Sequence, residues 1–182
     1  MAKILILGAG IAGHTAASHL RRKLSKEHEV IVVSPNRNYQ WVPSKIWVGI
    51  GRMKSEEVFF PLAPLDKRKG IEYKQAKVIS FYPEGDAMEA KPYVIIEYIF
   101  GETAGVQEKV YYDFLINATG PKLAFELTEG LYPGTNKTYS VCTYEHASHA
   151  SEALLKLISE IKTKEEKTKI LIGTGHPKAT CQ

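Results

Sequence analysis

Lys3-Ile4-Leu5-Ile6-Leu7-Gly8-Ala9-Gly10-Ile11-Ala12-Gly13 is the stretch that decides the fold of this chain. Lys3–Leu7 reads as a buried strand, Gly8–Gly13 as a glycine turn and Ile11–Leu24 as a helix. Glu29–Val33 then reads as a second buried strand. Strand, helix and strand in so short a span imply a right-handed crossover and a parallel sheet, an α/β fold of Rossmann type. Within the G-x-G-x-x-G pattern each glycine has its own task. Gly8 permits the tight turn, Gly10 lets the backbone approach a pyrophosphate, and Gly13 lets the helix pack closely on the strand. Ile11 and Ala12 open the helix, whose N-terminus carries roughly half a positive charge to set against phosphates. The alternative is a glycine turn that serves packing only.

A dinucleotide fold of this kind expects an acid at the end of the second strand to hold the ribose hydroxyls. Here the strand ends Val33-Ser34-Pro35-Asn36, with no carboxylate. Ser34 and Asn36 are the neutral groups available, and losing a charge-assisted hydrogen bond costs on the order of 1–3 kcal/mol.

Downstream, Tyr39–Gly51 is aromatic and reads as irregular, since Pro43 and Gly49 argue against a helix. Pro61–Lys69 reads as a short helix closed by Gly70. Ile71–Tyr73 and Val78–Phe81 read as two strands, and Tyr93–Phe100 with Glu108–Tyr112 as a small antiparallel ribbon. Phe114–Ala118 is a further apolar strand that ends in Thr119-Gly120-Pro121. Thr143–Ile161 carries a helical apolar stripe behind a Thr143 cap, and Ile170–Ile172 reads as a last buried strand. A strand running into Gly173-Thr174-Gly175 reads as interrupted, so the chain is expected to be an N-terminal fragment.

Composition narrows the function classes. In 182 residues, 44% are hydrophobic and 24% charged, which is ordinary for a globular protein and unlike a disordered or fibrous one. The net charge of +4 is mild and the lysines are scattered, which argues against a nucleic-acid partner. No apolar run reaches the roughly 18 residues a membrane span needs, and no signal peptide precedes Lys3, so a cytoplasmic location is expected. Two cysteines, Cys142 and Cys181, are too few for a disulfide framework or a metal cage; each is a buried small hydrophobe or a reactive thiol.

The chain resembles the sulfide:quinone oxidoreductases, within the two-dinucleotide-domain flavoproteins that include type II NADH dehydrogenases. The resemblance runs through Gly8–Gly13, Tyr39-Gln40-Trp41-Val42-Pro43-Ser44, Trp47-Val48-Gly49, Ala118–Leu123, Ser140-Val141-Cys142-Thr143 and Ala179-Thr180-Cys181. It implies a Rossmann-like FAD-binding domain at residues 1–165, lacking its closing strand, and the first strand and turn of a second dinucleotide-binding domain at 166–182. It implies FAD held at Gly8–Gly13, with Pro43, Thr119 and Gly120 near the flavin. It implies that the intact enzyme oxidises sulfide at a cysteine pair and passes electrons to membrane quinone. Cys181 matches the first redox cysteine and Cys142 an additional one. The second redox cysteine, the quinone pocket and a peripheral membrane attachment are expected beyond Gln182, and this part alone is not expected to turn over or to hold FAD tightly. A type II NADH dehydrogenase would not need Cys181; a non-catalytic nucleotide-binding module is a third reading.

Blander alternatives stand beside several of these residues. Trp41 and Trp47 are core or membrane-proximal aromatics. His146 and His149 lie three apart with no third metal ligand in sight, so no metal is expected. His176 is a candidate base for Cys181.

Overall fold

In a computed structural model of the chain, residues 1–135, 137–164 and 167–173 are described. The elements run β1 (Lys3–Leu7), α1 (Ile11–Lys23), β2 (Glu29–Ser34), β3 (Asn38–Gln40), α2 (Lys45–Gly49), β4 (Phe59–Pro61) and α3 (Leu62–Lys69). β5 (Glu72–Tyr82), β6 (Tyr93–Tyr98), β7 (Gln107–Tyr111), β8 (Phe114–Asn117) and α4 (Tyr144–Lys164) follow. They group into two compact units, Met1–Tyr39 with Phe60–Pro121, and Gln40–Phe59 with Lys122–Gln182.

The first unit holds a six-stranded sheet in the order β7-β6-β5-β2-β1-β8. β1 is interior, as expected, with β2 and β8 parallel to it on either side; Leu5 stands opposite both Ile31 and Leu115. Alternation along the strands feeds two cores. Ile4, Ile6, Val30 and Val32 pack with Ala17 and Leu20 of α1 and Leu62 of α3. Leu5, Leu7, Ile31 and Val33 pack with Val94, Ile96 and Val110 of the antiparallel strands. Strands covered on both faces read as unbroken apolar runs, which is why β1 and β2 were visible in the sequence. The fold is thus a mixed parallel and antiparallel sheet with helices, of Rossmann-like type.

Three expectations are corrected. Ile71–Tyr73 and Val78–Phe81 are not two strands: from Glu72 on, both fall in one long strand, β5. Its first half pairs in parallel with β2 and its second half antiparallel with β6, with an irregularity between Val78 and Ser80. The polar stretch within it is accommodated by acidic partners: the Lys74 ammonium meets Glu72 of the same strand at 2.9 Å and Glu108 of β7 at 3.0 Å. β8 flanks β1 as expected and forms an edge of the sheet, since among the described residues only β1 pairs with it; Phe114 is 63% exposed.

Residues 42–49 do form helix, a 3-10 turn at Val42–Ser44 running into α2. Pro43 falls in the first turn, where its missing N–H costs nothing. Gly49 ends α2 at a place where a Cβ would lie 2.6 Å from Val141 Cγ1. Finally, Ile170–Ile172 forms no strand, and Leu171 and Ile172 are almost fully exposed; no described strand pairs with them. The end of α3 and the start of α4 follow the sequence reading, with Gly70 left-handed after α3 and Thr143 Oγ1 accepting the His146 N–H at 3.1 Å; α4 continues past Ile161 to Lys164.

In the second unit a small core of Val48, Val58 and Ala147 joins α2 and α4, with Met53 and Tyr144 packed against it. Among the described residues no helix is long and apolar enough to cross a membrane.

Candidate functional site

The glycine turn carries out the division of labour its spacing implies. Gly8 has φ +98°, and a Cβ there would lie 2.2 Å from the Ala118 carbonyl oxygen. Its N–H donates to Val33 O at 2.8 Å, tying the turn to β2. At Gly13 a Cβ would come within 1.9 Å of Gly8 O, so α1 sits against the turn itself. Gly10 is different: its φ is −73°, and a Cβ would meet nothing within 4 Å. Neither strain nor packing inside the protein requires glycine at position 10. The open space above it is what a ligand approaching the backbone needs.

The end of α1 fits an anion. Gly10 is its N-cap, no side chain caps it, and its first turn contains no acid. Ile11 and Ala12, which present the first helical amides, are exposed, whereas Ala9 is buried behind them. Exposed N-terminal amides with no competing acceptor form a site for pyrophosphate.

At the end of β2 the two neutral candidates separate. Ser34 is buried, and its Oγ accepts the Asn36 N–H at 3.2 Å. Tyr73 braces the same turn, its hydroxyl donating to Ser34 O at 3.3 Å and also to Asn36 O. Asn36 is exposed, so its amide is the group turned out from this strand end. On the other side of β1, Thr119 and Gly120 follow β8. The Thr119 hydroxyl and N–H both donate to Asn117 Oδ1, at 2.9 and 3.3 Å, and Gly120 takes φ +76°. Asn117 was not among the expected site residues; its place as the one polar residue at the end of an otherwise apolar strand was the available signal.

The second unit holds Pro43 and Cys142. Pro43 is exposed within its 3-10 turn. Cys142 is exposed too, which removes the reading of a packed thiol; it immediately precedes the α4 cap, and its N–H donates to Ser140 Oγ at 3.1 Å. A buried lysine also belongs here. Lys45 is only 6% exposed, and its Nζ donates to Cys142 O at 3.1 Å. Burial draws the Lys45 ammonium below its ordinary range, against the opposing charges of Glu145 and Cys142. The signal for it was helical spacing: Lys45, Val48 and Gly49 form the buried face of α2.

The remaining candidates separate in the same way. Trp41 and Trp47 are 48% and 43% exposed, so neither is a core residue; Val42, Ile46 and Ile50 are exposed beside them in sequence. The His146 ring stands edge-on to Phe125, and no described group of three or more His, Cys, Asp or Glu residues is arranged to hold a metal. Cys181 and His176 lie outside the described residues.

Comparison with known proteins agrees with this geometry. The Aquifex aeolicus sulfide-quinone reductase is 29% identical over 158 residues, covering 86% of this chain and 32% of that protein. An Arabidopsis thaliana external alternative NAD(P)H-ubiquinone oxidoreductase is 28% identical over 151 residues, covering 83% of this chain and 23% of its own length. The solved structure of the Aquifex aeolicus sulfide:quinone oxidoreductase shares the fold, with a TM-score of 0.68 at 24% identity, over 87% of this chain and 33% of that one. The chain therefore spans about a third of the length of the sulfide-quinone reductase it matches. The family model described as pyridine nucleotide-disulphide oxidoreductase matches residues 2–176, and the chain belongs to that family.

Proposed function

We propose that this chain is the FAD-cradling part of a flavin-dependent oxidoreductase that carries electrons from sulfide to quinone. The observation that carries the reading is the contrast inside the glycine turn: Gly8 and Gly13 are required by the protein's own packing, and Gly10 faces open space at an uncapped helix end. The residues fit the cofactor. Gly10, Ile11 and Ala12 would hold its pyrophosphate, Asn36 its ribose, and Thr119, Gly120 and Pro43 would lie toward its flavin. Bound FAD would accept two electrons from the thiol chemistry and pass them to quinone. The chain's own contribution is the thiol chemistry, with Cys181 as the first redox cysteine and exposed Cys142 as an additional thiol. Residues 1–165 belong to the FAD domain and 166–182 open a second dinucleotide-binding domain; sulfide, quinone and a peripheral membrane attachment belong to the enzyme at the full length of its relatives.

The Aquifex relative and the exposure of Cys142 support sulfide as the donor. The Arabidopsis relative supports a second reading, in which NADH takes that place. Sulfide-dependent and NADH-dependent quinone reduction, measured on the enzyme at its relatives' length, separate the two. We expect sulfide dependence, abolished by Cys181→Ser with flavin retained and only reduced by Cys142→Ser. NADH dependence surviving Cys181→Ser would establish the second reading. Absence of any flavin absorbance would leave a nucleotide-binding module without catalysis.

A further inference from the structure

Beside the cradle helix stands a buried carboxylate with no hydrogen bond. Asp66 of α3 is 1% exposed, and neither of its oxygens accepts a hydrogen bond from any described residue. The group facing it is His14 of α1, whose Nδ1 lies 3.7 Å from Asp66 Oδ1 with the side chain 14% exposed. The rings of Tyr39 and Phe60 lie 5.2 and 6.2 Å from the imidazole, with Tyr39 itself buried. An unpaired charge in such a place is strongly disfavoured. With no proton the pair leaves a buried anion, and with two a buried cation. With one it is neutral as a whole, whether written as imidazolium and carboxylate or as imidazole and carboxylic acid.

We propose that His14 and Asp66 carry one proton between them, so that the pair is neutral as a whole, and that this pairing locks the cradle helix α1 to α3. Other titratable groups facing the pair leave it that role. Lys69 of α3 donates from Nζ to Ser18 Oγ of α1 at 2.9 Å, a second polar link across the same joint. Tyr73 of β5 is pushed up to about 12 by burial and then by Asp66, and burial also raises Tyr39 of β3, so both stay neutral through the physiological range. Burial raises the Asp66 carboxyl against Lys69, and burial together with Lys69 lowers the His14 imidazole. Each shift favours that group's neutral form, and the two neutral forms together contain the single proton; the macroscopic steps belong to the pair. Losing it strands the anion, so the folded pair keeps it to higher pH than an unfolded imidazole does. The pair's contribution to stability is then complete between the ordinary carboxylate value of about 4 and the ordinary imidazole value of about 6.5, and is lost as pH rises through the pair's raised upper step. The joint matters to the cradle because the His14 N–H donates to Gly10 O at 2.9 Å, one helical turn from the N-cap. The inference rests on the pair alone and on no bound ligand.

Nuclear magnetic resonance of the whole chain tests it. The Asp66 carboxyl carbon should titrate above pH 6.5, with a concerted change at the His14 ring. Asp66→Asn should move the His14 midpoint down by about one pH unit or more. Should that variant fail to fold, the double variant His14→Leu/Asp66→Leu keeps the joint apolar. It should melt at a temperature independent of pH between 6 and 8, where the parent's falls. Titration of Asp66 in the ordinary carboxylate range near 4, or a double variant with the parent's pH dependence, would overturn the proposal.

Discussion

The glycine turn of the first unit and the Cys142 segment of the second are both placed at the start of a helix, yet they are built by opposite means. At the turn, backbone does everything: Gly8 and Gly13 allow atoms to approach within distances no side chain permits, and the helix end is left bare. At Cys142, side chains do the work. Thr143 caps α4 through its hydroxyl, Ser140 receives the Cys142 N–H, and the buried Lys45 ammonium holds the Cys142 carbonyl. A bare helix end suits a ligand that brings its own charge. A capped one with an exposed thiol beside it suits a reactive group that the protein itself supplies.

The largest effect that can break this comparison lies inside the glycine turn. Gly13→Ala should cost about 3 kcal/mol or more, because its Cβ meets backbone that cannot rotate away. Gly10→Ala should cost about 1 kcal/mol or less, the difference between glycine and alanine at an N-cap. Urea unfolding reads both. Equal losses would mean that position 10 serves packing like its neighbours, and the case for a ligand above it would fall. A second measurement sharpens the ligand side. Asn36→Asp restores a carboxylate at the end of β2 and should tighten FAD binding by about 1 kcal/mol, roughly fivefold, through charge-assisted hydrogen bonds. Unchanged affinity would place the ribose elsewhere.

These two regions also differ in how far the sequence revealed them. The turn was legible to the residue because its constraints are local: an apolar run, three glycines at fixed spacing and a helix behind them. Cys142 was visible as a cysteine, and Thr143 as a cap, but Lys45 was not, because the acceptor that holds its ammonium is 97 residues away along the chain. Asp66 was hidden for the same reason, as a charge on a short, strongly basic helix that looks solvated until His14 is folded against it. β5 was split in two because Lys74 and Lys77 interrupt its apolar pattern, and the partner Glu108 comes from β7, which reaches it only through the pairing of β6 with both. Cross-strand and cross-helix partners are tertiary facts, and periodicity does not carry them.

Lys45 itself gives a smaller and pH-dependent effect. Lys45→Met preserves the length of the stem and removes the charge, so stability at pH 7 should change by no more than about 1 kcal/mol. The sign with pH is fixed by burial, which lowers the folded value below that of the unfolded chain. Stability from such a group is present above the unfolded value near 10.5 and lost as pH falls through the lowered one. As pH rises from 7 toward the unfolded value near 10.5 the parent should therefore gain melting temperature relative to Lys45→Met. A constant difference across that range would show that the amine ionises freely and is not confined beneath Cys142.

The smallest effect falls on the cap of α4. Thr143→Ala removes the hydroxyl that accepts the His146 N–H and leaves Thr143 O to receive the Ala147 N–H at 3.0 Å, so one first-turn amide loses its partner. Such caps are worth about 1 kcal/mol. Thr143→Ser keeps the oxygen and should recover most of that loss, whereas Thr143→Val keeps the shape and should not. The same substitution also tests the contrast with the glycine turn. An uncapped α4 presents a free amide next to an exposed thiol, which favours the thiolate through the helix dipole. Thr143→Ala should therefore speed iodoacetamide modification of Cys142 at neutral pH even as it weakens the helix, with Cys181 changed to serine so that only one thiol reports. Slower modification, or none of the expected loss in urea unfolding, would mean that the hydroxyl does not govern this helix end and that the two regions are less different than their hydrogen bonds suggest.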